Sequence, residues 1–245
     1  MSAEHPSLTP AYRPLYQQIR EALTRRLASG DWSPGVILPS ETALAQEYGV
    51  SQGTIRKALD AMAADHLVVR HQGRGTEVAR HNDERSLFQF FHIYGEDGQR
   101  RLPTSRVLRC SQAKANRDEA AALNVHKGTT VIRIYRVRDL NERPAMTELV
   151  TVPAELFPDL ELLGKEVPNA IYELYQRRYA ISVQRAVEQL YAVAANSKDA
   201  TLLNVQPGTP LLEIRRTAVD LENRSVEYRV SRCLTRHQHY LNELV

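Results

Sequence analysis

The chain has only two cysteines in 245 residues, Cys110 and Cys233, far apart and without a Cys-x-x-Cys pairing. That scarcity excludes a disulfide-stapled scaffold and a thiolate metal centre, and leaves two small hydrophobes as their simplest use. No apolar run approaches the ~20 residues that a bilayer-spanning helix requires. The first residues, MSAEHPSLTP, lack the charged and apolar parts of a secretion signal, so a cytoplasmic protein without a membrane partner is expected. A large excess of one charge is missing too. A net charge of +3 is too mild for nucleic-acid binding by a uniformly basic surface, so any such contact needs a local basic face. Ser, His and Asp are scattered with no serine elbow of the hydrolase kind, and no Gly-x-x-x-x-Gly-Lys loop occurs. His237-Gln238-His239 offers two imidazoles without a third ligand, which suits surface residues better than a metal site. Catalytic residues, metals and cofactors are therefore not expected.

What is present is strongly patterned. The 42% hydrophobic and 25% charged residues are ordinary for a globular protein, and the length suggests two domains. After Tyr12-Arg13-Pro14, Leu15, Ile19, Leu23 and Leu27 recur every four residues, which predicts a helix ended by Gly30. A loop from Ser33 leads to Ser40, a good N-cap, with Glu41 beside it favouring the positive helix end. The second helix carries Leu44, Ala45 and Tyr48 and stops at Gly49; Ser51 then caps a third with Ile55, Leu59 and Met62 on one face. Ala45 permits close approach, Gly49 accepts a sharp turn, and Ile55 locks the second helix of a helix-turn-helix. Leu67–Arg70 and Thr76–Val78 read as two strands around Gln72-Gly73-Arg74-Gly75, with Arg70, His71 and Arg74 as donors at the tip. A winged helix-turn-helix over residues 8–78 is the expectation.

Gln52, Gly53 and Arg56 fall on the exposed face of the third helix. Arg56 can fork onto a guanine edge, Gln52 onto adenine, and Gly53 admits close backbone approach at roughly 0.5–1 kcal/mol against alanine. The plainer alternative is that Gln52 and Arg56 are merely solvated. Ser40, Thr42, Ser51, Thr54 and Gly73 complete the candidate DNA-contacting set. Here Leu38-Pro39-Ser40-Glu41, Tyr48-Gly49-Val50-Ser51, Thr54-Ile55-Arg56, Ala58-Leu59 and Gly73-Arg74-Gly75-Thr76 resemble the GntR family of bacterial regulators. The resemblance implies a DNA-binding regulator. Thr42 and Gln52 stand where many relatives carry arginine, which implies an altered base preference.

Residues 79–94 turn charged and turn-forming and read as a connector, with Phe88, Phe90 and Phe91 docked on a neighbouring surface. Beyond it, over 95–245, Leu123-Asn124-Val125-His126-Lys127-Gly128-Thr129 returns as Leu203-Asn204-Val205-Gln206-Pro207-Gly208-Thr209. Each copy has a short helix before it and a strand, turn and strand after it. Two such units predict an α+β chain whose C-terminal part is one antiparallel sheet with approximate two-fold symmetry, helices against it, and a cleft where the units meet. Strand alternation puts Arg136 and Arg138 on the face of Ile132 and Ile134, with Arg136 opposite Glu148. Arg216 repeats this in the second copy, but Glu227 falls on the more polar face of its strand. An Arg136–Glu148 pair could simply organise the sheet; alternatively the charges form a ligand site, since Arg138 has no evident acid and could take an anion.

Pro103-Thr104-Ser105-Arg106-Val107-Leu108, Arg136-x-Arg138, Glu148, Val152-Pro153, Ile171-Tyr172, Pro210-Leu211-Leu212 and Val226-Glu227-Tyr228 resemble the UTRA effector domain of HutC-like GntR regulators, whose fold is chorismate-lyase-like. The resemblance implies an effector pocket at Ser105, Arg136, Arg138, Glu148 and Glu227, to which Thr104, Arg106 and Tyr172 are added as neighbours. Ala170 replaces a family serine and Cys233 an expected aromatic, which points away from a sugar-phosphate effector. The resulting expectation is a homodimeric repressor of a palindromic double-stranded operator, controlled by a small anionic or polar metabolite. A lyase-type enzyme on the same fold and an architectural DNA-binding protein without effector are the alternatives.

Overall fold

The computed structural model describes residues 13–81 and 90–243, in two compact units that divide between Ala79 and Arg80. Tyr12, Phe88 and half of the expected connector lie outside the described residues.

The N-terminal unit contains α1 (Leu15–Ala28), α2 (Glu41–Tyr48), α3 (Gln52–Ala64) and a hairpin of β1 (Val68–His71) and β2 (Gly75–Val78). Ser40 caps α2, its Oγ accepting from the Ala43 N–H at 3.1 Å, and Gly49 ends that helix at φ 63°. Ser51 does the same for α3, accepting from the Thr54 N–H at 3.2 Å. Contrary to the sequence reading, Gly49-Val50-Ser51-Gln52-Gly53 does have the Gly-x-Ser-x-Gly spacing of a hydrolase serine elbow, but it joins helix to helix and the Ser51 hydroxyl caps α3. Ile19, Leu23, Leu44, Ile55, Leu59 and Met62 close the core, while Leu15 at the open end of α1 stays exposed. The segment before α2 is not a plain loop. The Leu38 N–H donates to the Thr76 carbonyl at 2.7 Å and the Val78 N–H to the Val36 carbonyl at 2.9 Å, so Val36–Leu38 edges β2 as a third extended line of the wing.

In the C-terminal unit, β4 (Thr104–Lys114), α4 (Arg117–Leu123), β5 (Thr130–Leu140) and β6 (Arg143–Pro153) form one half; β7 (Val183–Ala194), α6 (Ser197–Leu203), β8 (Pro210–Asp220) and β9 (Ser225–Cys233) form the other. The six strands make one antiparallel sheet, ordered β4-β5-β6-β9-β8-β7, with the two halves meeting at β6 and β9. The repeat has one physical cause in both copies. Asn116 and Asn196 cap α4 and α6, Asn124 and Asn204 end them at φ 54°, and Gly128 and Gly208 turn into the next strand at φ 87° and 86°. The connection between the halves carries a 3-10 segment (Leu160–Glu166) and α5 (Ile171–Tyr179), which has no counterpart. Phe157, Leu160, Tyr172 and Tyr175 from it cluster with Ile132, Ile134, Val150 and Val152 of the sheet. α4 and α6 pack around Val131, Tyr228 and Leu211, which belong to the other face by strand alternation. A short pair, β3 (Ile93–Gly95) with β10 (Gln238–Tyr240), completes the unit.

Three details bear on the sequence reading. Phe90, Phe91 and Ile93, read as connector, are buried within the C-terminal unit. Cys110 is half-buried and Cys233 buried; both are free thiols, and burial pushes them up to about 11 and about 12, so both resist ionisation. His237 meets Glu96 at 3.2 Å while His239 stacks on Tyr94, so the two imidazoles have separate partners. Among the described residues no helix is long and apolar enough to cross a membrane, and no cluster of three metal-ligating side chains occurs.

Candidate DNA interface and effector cavity

On the N-terminal unit, Gln52, Gly53 and Arg56 are exposed along the first turns of α3, with Thr42 exposed on α2. Ser40 accepts from backbone with a lone pair and keeps an O–H to donate outward, whereas Ser51 shares its hydroxyl with Thr54. The Thr54 hydroxyl is partnered by Ser51 at 2.9 Å. Glu41 organises this face. Its carboxylate accepts from Arg56 Nε at 3.0 Å and Nη2 at 2.9 Å, from Gln52 Nε2 at 3.3 Å, and from Arg70. Hydrogen bonding by Arg56 outweighs burial and, with Arg70, holds the Glu41 carboxyl below its ordinary value. The sequence suggested a helix-dipole role for Glu41; its acceptor role depends on α3 and β1 folding back over α2. Arg70, expected at the wing tip, lies within β1 and pairs with Asp60 as well as Glu41. His71 faces Glu77 across the hairpin at 3.2 Å. The tip itself is Gln72, Gly73 (φ 73°) and an exposed Arg74.

On the C-terminal unit the centre of the sheet carries a cavity of about 60 Å³ beneath α5. Arg136 and Glu148 are cross-strand partners, as the turn count predicts, joined at 2.5 Å and almost wholly buried. The same carboxylate receives Ser231 Oγ at 3.1 Å and lies 3.5 Å from Arg229 and 3.7 Å from Arg138. Burial alone would raise the Glu148 carboxyl; Arg136, Arg229 and Arg138 together hold it well below the ordinary range. Arg229 forks onto Glu227 with two bonds of 2.9 Å, and Glu227 also accepts from Tyr172 at 3.1 Å and Tyr175 at 2.8 Å. Arg216 donates to Glu188 at 2.7 Å and to the Phe90 carbonyl. Arg138 is the least compensated of the four arginines. It has long bonds of 3.3 Å to Asn169 Oδ1 and 3.5 Å to the Pro103 carbonyl, and its Nε is buried without a partner. Burial, then Arg136, push its guanidinium down to about 9, so it is still charged at neutral pH.

An exposed winged reader followed by a separate unit with a buried, charged, partly unsatisfied cavity is a sensor architecture. Residues 98–239 match the model of the UTRA domain, and residues 15–78 that of bacterial regulatory proteins of the gntR family. The chain belongs to the GntR family. It is 32% identical to the HTH-type transcriptional repressor NagR of Bacillus subtilis (strain 168), covering 83% of this chain and 84% of that protein. It is 31% identical to the histidine utilization repressor of Klebsiella aerogenes, over 88% of both chains. The ligand-binding domain of a GntR-family transcriptional regulator from Bordetella bronchiseptica superimposes with a TM-score of 0.59 at 34% identity, covering 64% of this chain and 99% of that one. This GntR protein is a HutC-like DNA-binding transcription regulator controlled through its UTRA domain, not an enzyme.

Within the regulator, the structure brings Arg136, Arg138, Glu148 and Tyr172 to the cavity wall. Glu227 stands behind it, acting through Arg229 and Tyr172. Thr104 and Arg106 do not reach it: strand alternation turns only Ser105 of the three toward Arg138, its register partner. Ser105 does not line the cavity, though its Oγ is buried and unpartnered.

Sequence reasoning missed Arg229, Ser231, Glu188 and Asn169. It also misjudged the polar face of β9, because that face is the cavity face. The signal was in the register. Arg136 pairs with Glu148 in the first hairpin, and Arg216 with Arg229 in the second. The returning strand of the second copy runs one residue late, so Arg229, not Glu227, is the two-fold counterpart of Glu148.

Proposed function

We propose that this regulator is a cytoplasmic, homodimeric repressor that binds a roughly palindromic operator through paired winged readers. A small anionic metabolite in the UTRA cavity, held by Arg138, changes its hold on DNA. The observation that carries this reading is Arg138: a buried guanidinium at a cavity wall with a nitrogen left unbonded, where an anion restores the balance. Footprinting tests the DNA half. Protection of two half-sites about one helical turn apart, or closer if the readers interleave, is expected. Protection of a single asymmetric half-site by monomer would sink it.

Readout divides between α3 and the wing. Arg56→Ala should lose roughly ten- to a hundredfold in operator affinity and barely change binding to random DNA, because a base-edge fork is sequence-specific. Arg74→Ala should weaken both and make the salt slope shallower by about one. Electrophoretic mobility shifts at several salt concentrations measure this. Equal weakening of all DNAs by both variants would show that neither residue reads sequence.

A further inference from the structure

The charges around the cavity can be counted by partner. Among the described residues, Arg229 is matched by Glu227, Arg216 by Glu188 and Arg136 by Glu148. Arg138 has no carboxylate of its own, only the far oxygen of Glu148 at 3.7 Å. The remaining titratable groups on the wall add nothing at neutral pH. Burial lowers the His92 imidazole, leaving it neutral, and raises Tyr172 and Tyr240, leaving them as phenols. The side chains of the site therefore carry one net positive charge, and it lies at one place.

Two further features narrow the ligand. Ala170, Asn169 and Ile171 bring the start of α5 to the cavity, and no side chain caps that helix. Its dipole adds roughly half a positive charge, but Ala170 offers no hydroxyl. Ser231 is committed to Glu148, Tyr172 to Glu227 and Tyr240 to Glu188, which leaves only the neutral Asn169 amide and His92 imidazole as further side-chain donors on the wall. Three phosphate oxygens with two charges would face one free guanidinium edge and one helix end. The rest of the wall is apolar or aromatic. Phe91 lies over Arg138 with its ring centroid 5.5 Å from Cζ, and Phe90, Met146 and Ile214 complete it.

Resting on the reading of this cavity as the effector site, we propose that its ligand is a compact monoanion, one carboxylate on a flat apolar body, and not a phosphate ester. The carboxylate sits in the fork of Arg138 at the start of α5, and the body lies against Phe91 and Ile214. Neutralising a single buried cation is favourable, whereas a second negative charge stays unpaired beside Glu148 and Glu188.

The test uses three probes that share one ring: benzoate, phenyl phosphate and benzamide. Each is titrated calorimetrically into the full-length protein, its Arg138→Met variant and its Arg138→Lys variant, with thermal melting to show that the variants are folded. Benzoate is expected to bind at least about tenfold more tightly than either other probe. Arg138→Met should remove that preference and Arg138→Lys retain part of it, since lysine keeps the charge without the fork. Tighter binding of phenyl phosphate that is lost in Arg138→Met would overturn the monoanion rule while leaving the cavity as the effector site. Tighter or equal binding of benzamide would overturn it as well. No binding of any probe at about 10 mM, or binding indifferent to both variants, would remove the cavity reading with it.

Discussion

Arg138→Ala is expected to leave the regulator folded, bound to its operator and unresponsive to its effector. Arg138 is the buried cation with the weakest bonds, pushed down to about 9 by burial and by Arg136, so its charged form is disfavoured in the folded state. Removing it relieves repulsion against Arg136, Arg229 and Arg216 and should cost little stability. The ligand loses a charge-assisted fork, an interaction of about 1.5–3 kcal/mol and hence roughly ten- to a hundredfold in effector affinity. A ligand shifts an equilibrium only through its differential affinity for the two states, so the variant should stay on DNA at effector levels that release the parent. Operator affinity across an effector titration measures this, with thermal melting as the folding control. Normal release by a folded variant would move the effector site elsewhere and leave Arg138 a part of the sheet.

The second large effect is on the fold. Glu148→Gln should destabilise the C-terminal unit by about 3–5 kcal/mol, because one neutral amide would face Arg136, Arg138 and Arg229 in a buried site. Arg136→Ala should cost less, since Glu148 then keeps Arg229 and Ser231. The pH dependence has a definite sign. The Glu148 carboxyl lies well below its ordinary range when folded, so its stabilisation is complete above that range and is lost as pH falls through the folded value. The gap between parent and Glu148→Gln should therefore be widest near neutrality and narrow on acidification. Urea denaturation at pH 7 and at about pH 4 checks both points. A loss under about 1 kcal/mol at neutral pH would mean that water or movement of the arginines replaces the carboxylate.

Much of this was legible because it is local. Ser40, Gly49 and Ser51 punctuate the reader through capping bonds that span three or four residues, and these need no tertiary information. The repeat around Asn124 and Asn204 declares two copies of one unit, and counting from the Asn141 turn places Arg136 against Glu148. The resemblance supplied the pocket's first residues on the same strands. What failed depended on things a count does not contain. One extra residue in the second hairpin set Arg229, and not an acid, opposite Arg216. Strand alternation separated Ser105 from Thr104 and Arg106 once the face of β4 was known.

By itself, then, the sequence determined the order of elements, the winged reader, the doubled sheet, and which arginines turn inward on β5. It could do so because helix caps, left-handed turn residues and the two-residue alternation of a strand act over a few neighbours. Only the tertiary structure decided which charges cancel. Glu188 comes to Arg216 from the edge strand, Asn169 to Arg138 from the loop before α5, and Glu41 to Arg56 from the preceding helix. Each pairing joins residues on different elements. In a site where burial makes every unmatched charge costly, those pairings leave Arg138 as the cation without a carboxylate of its own.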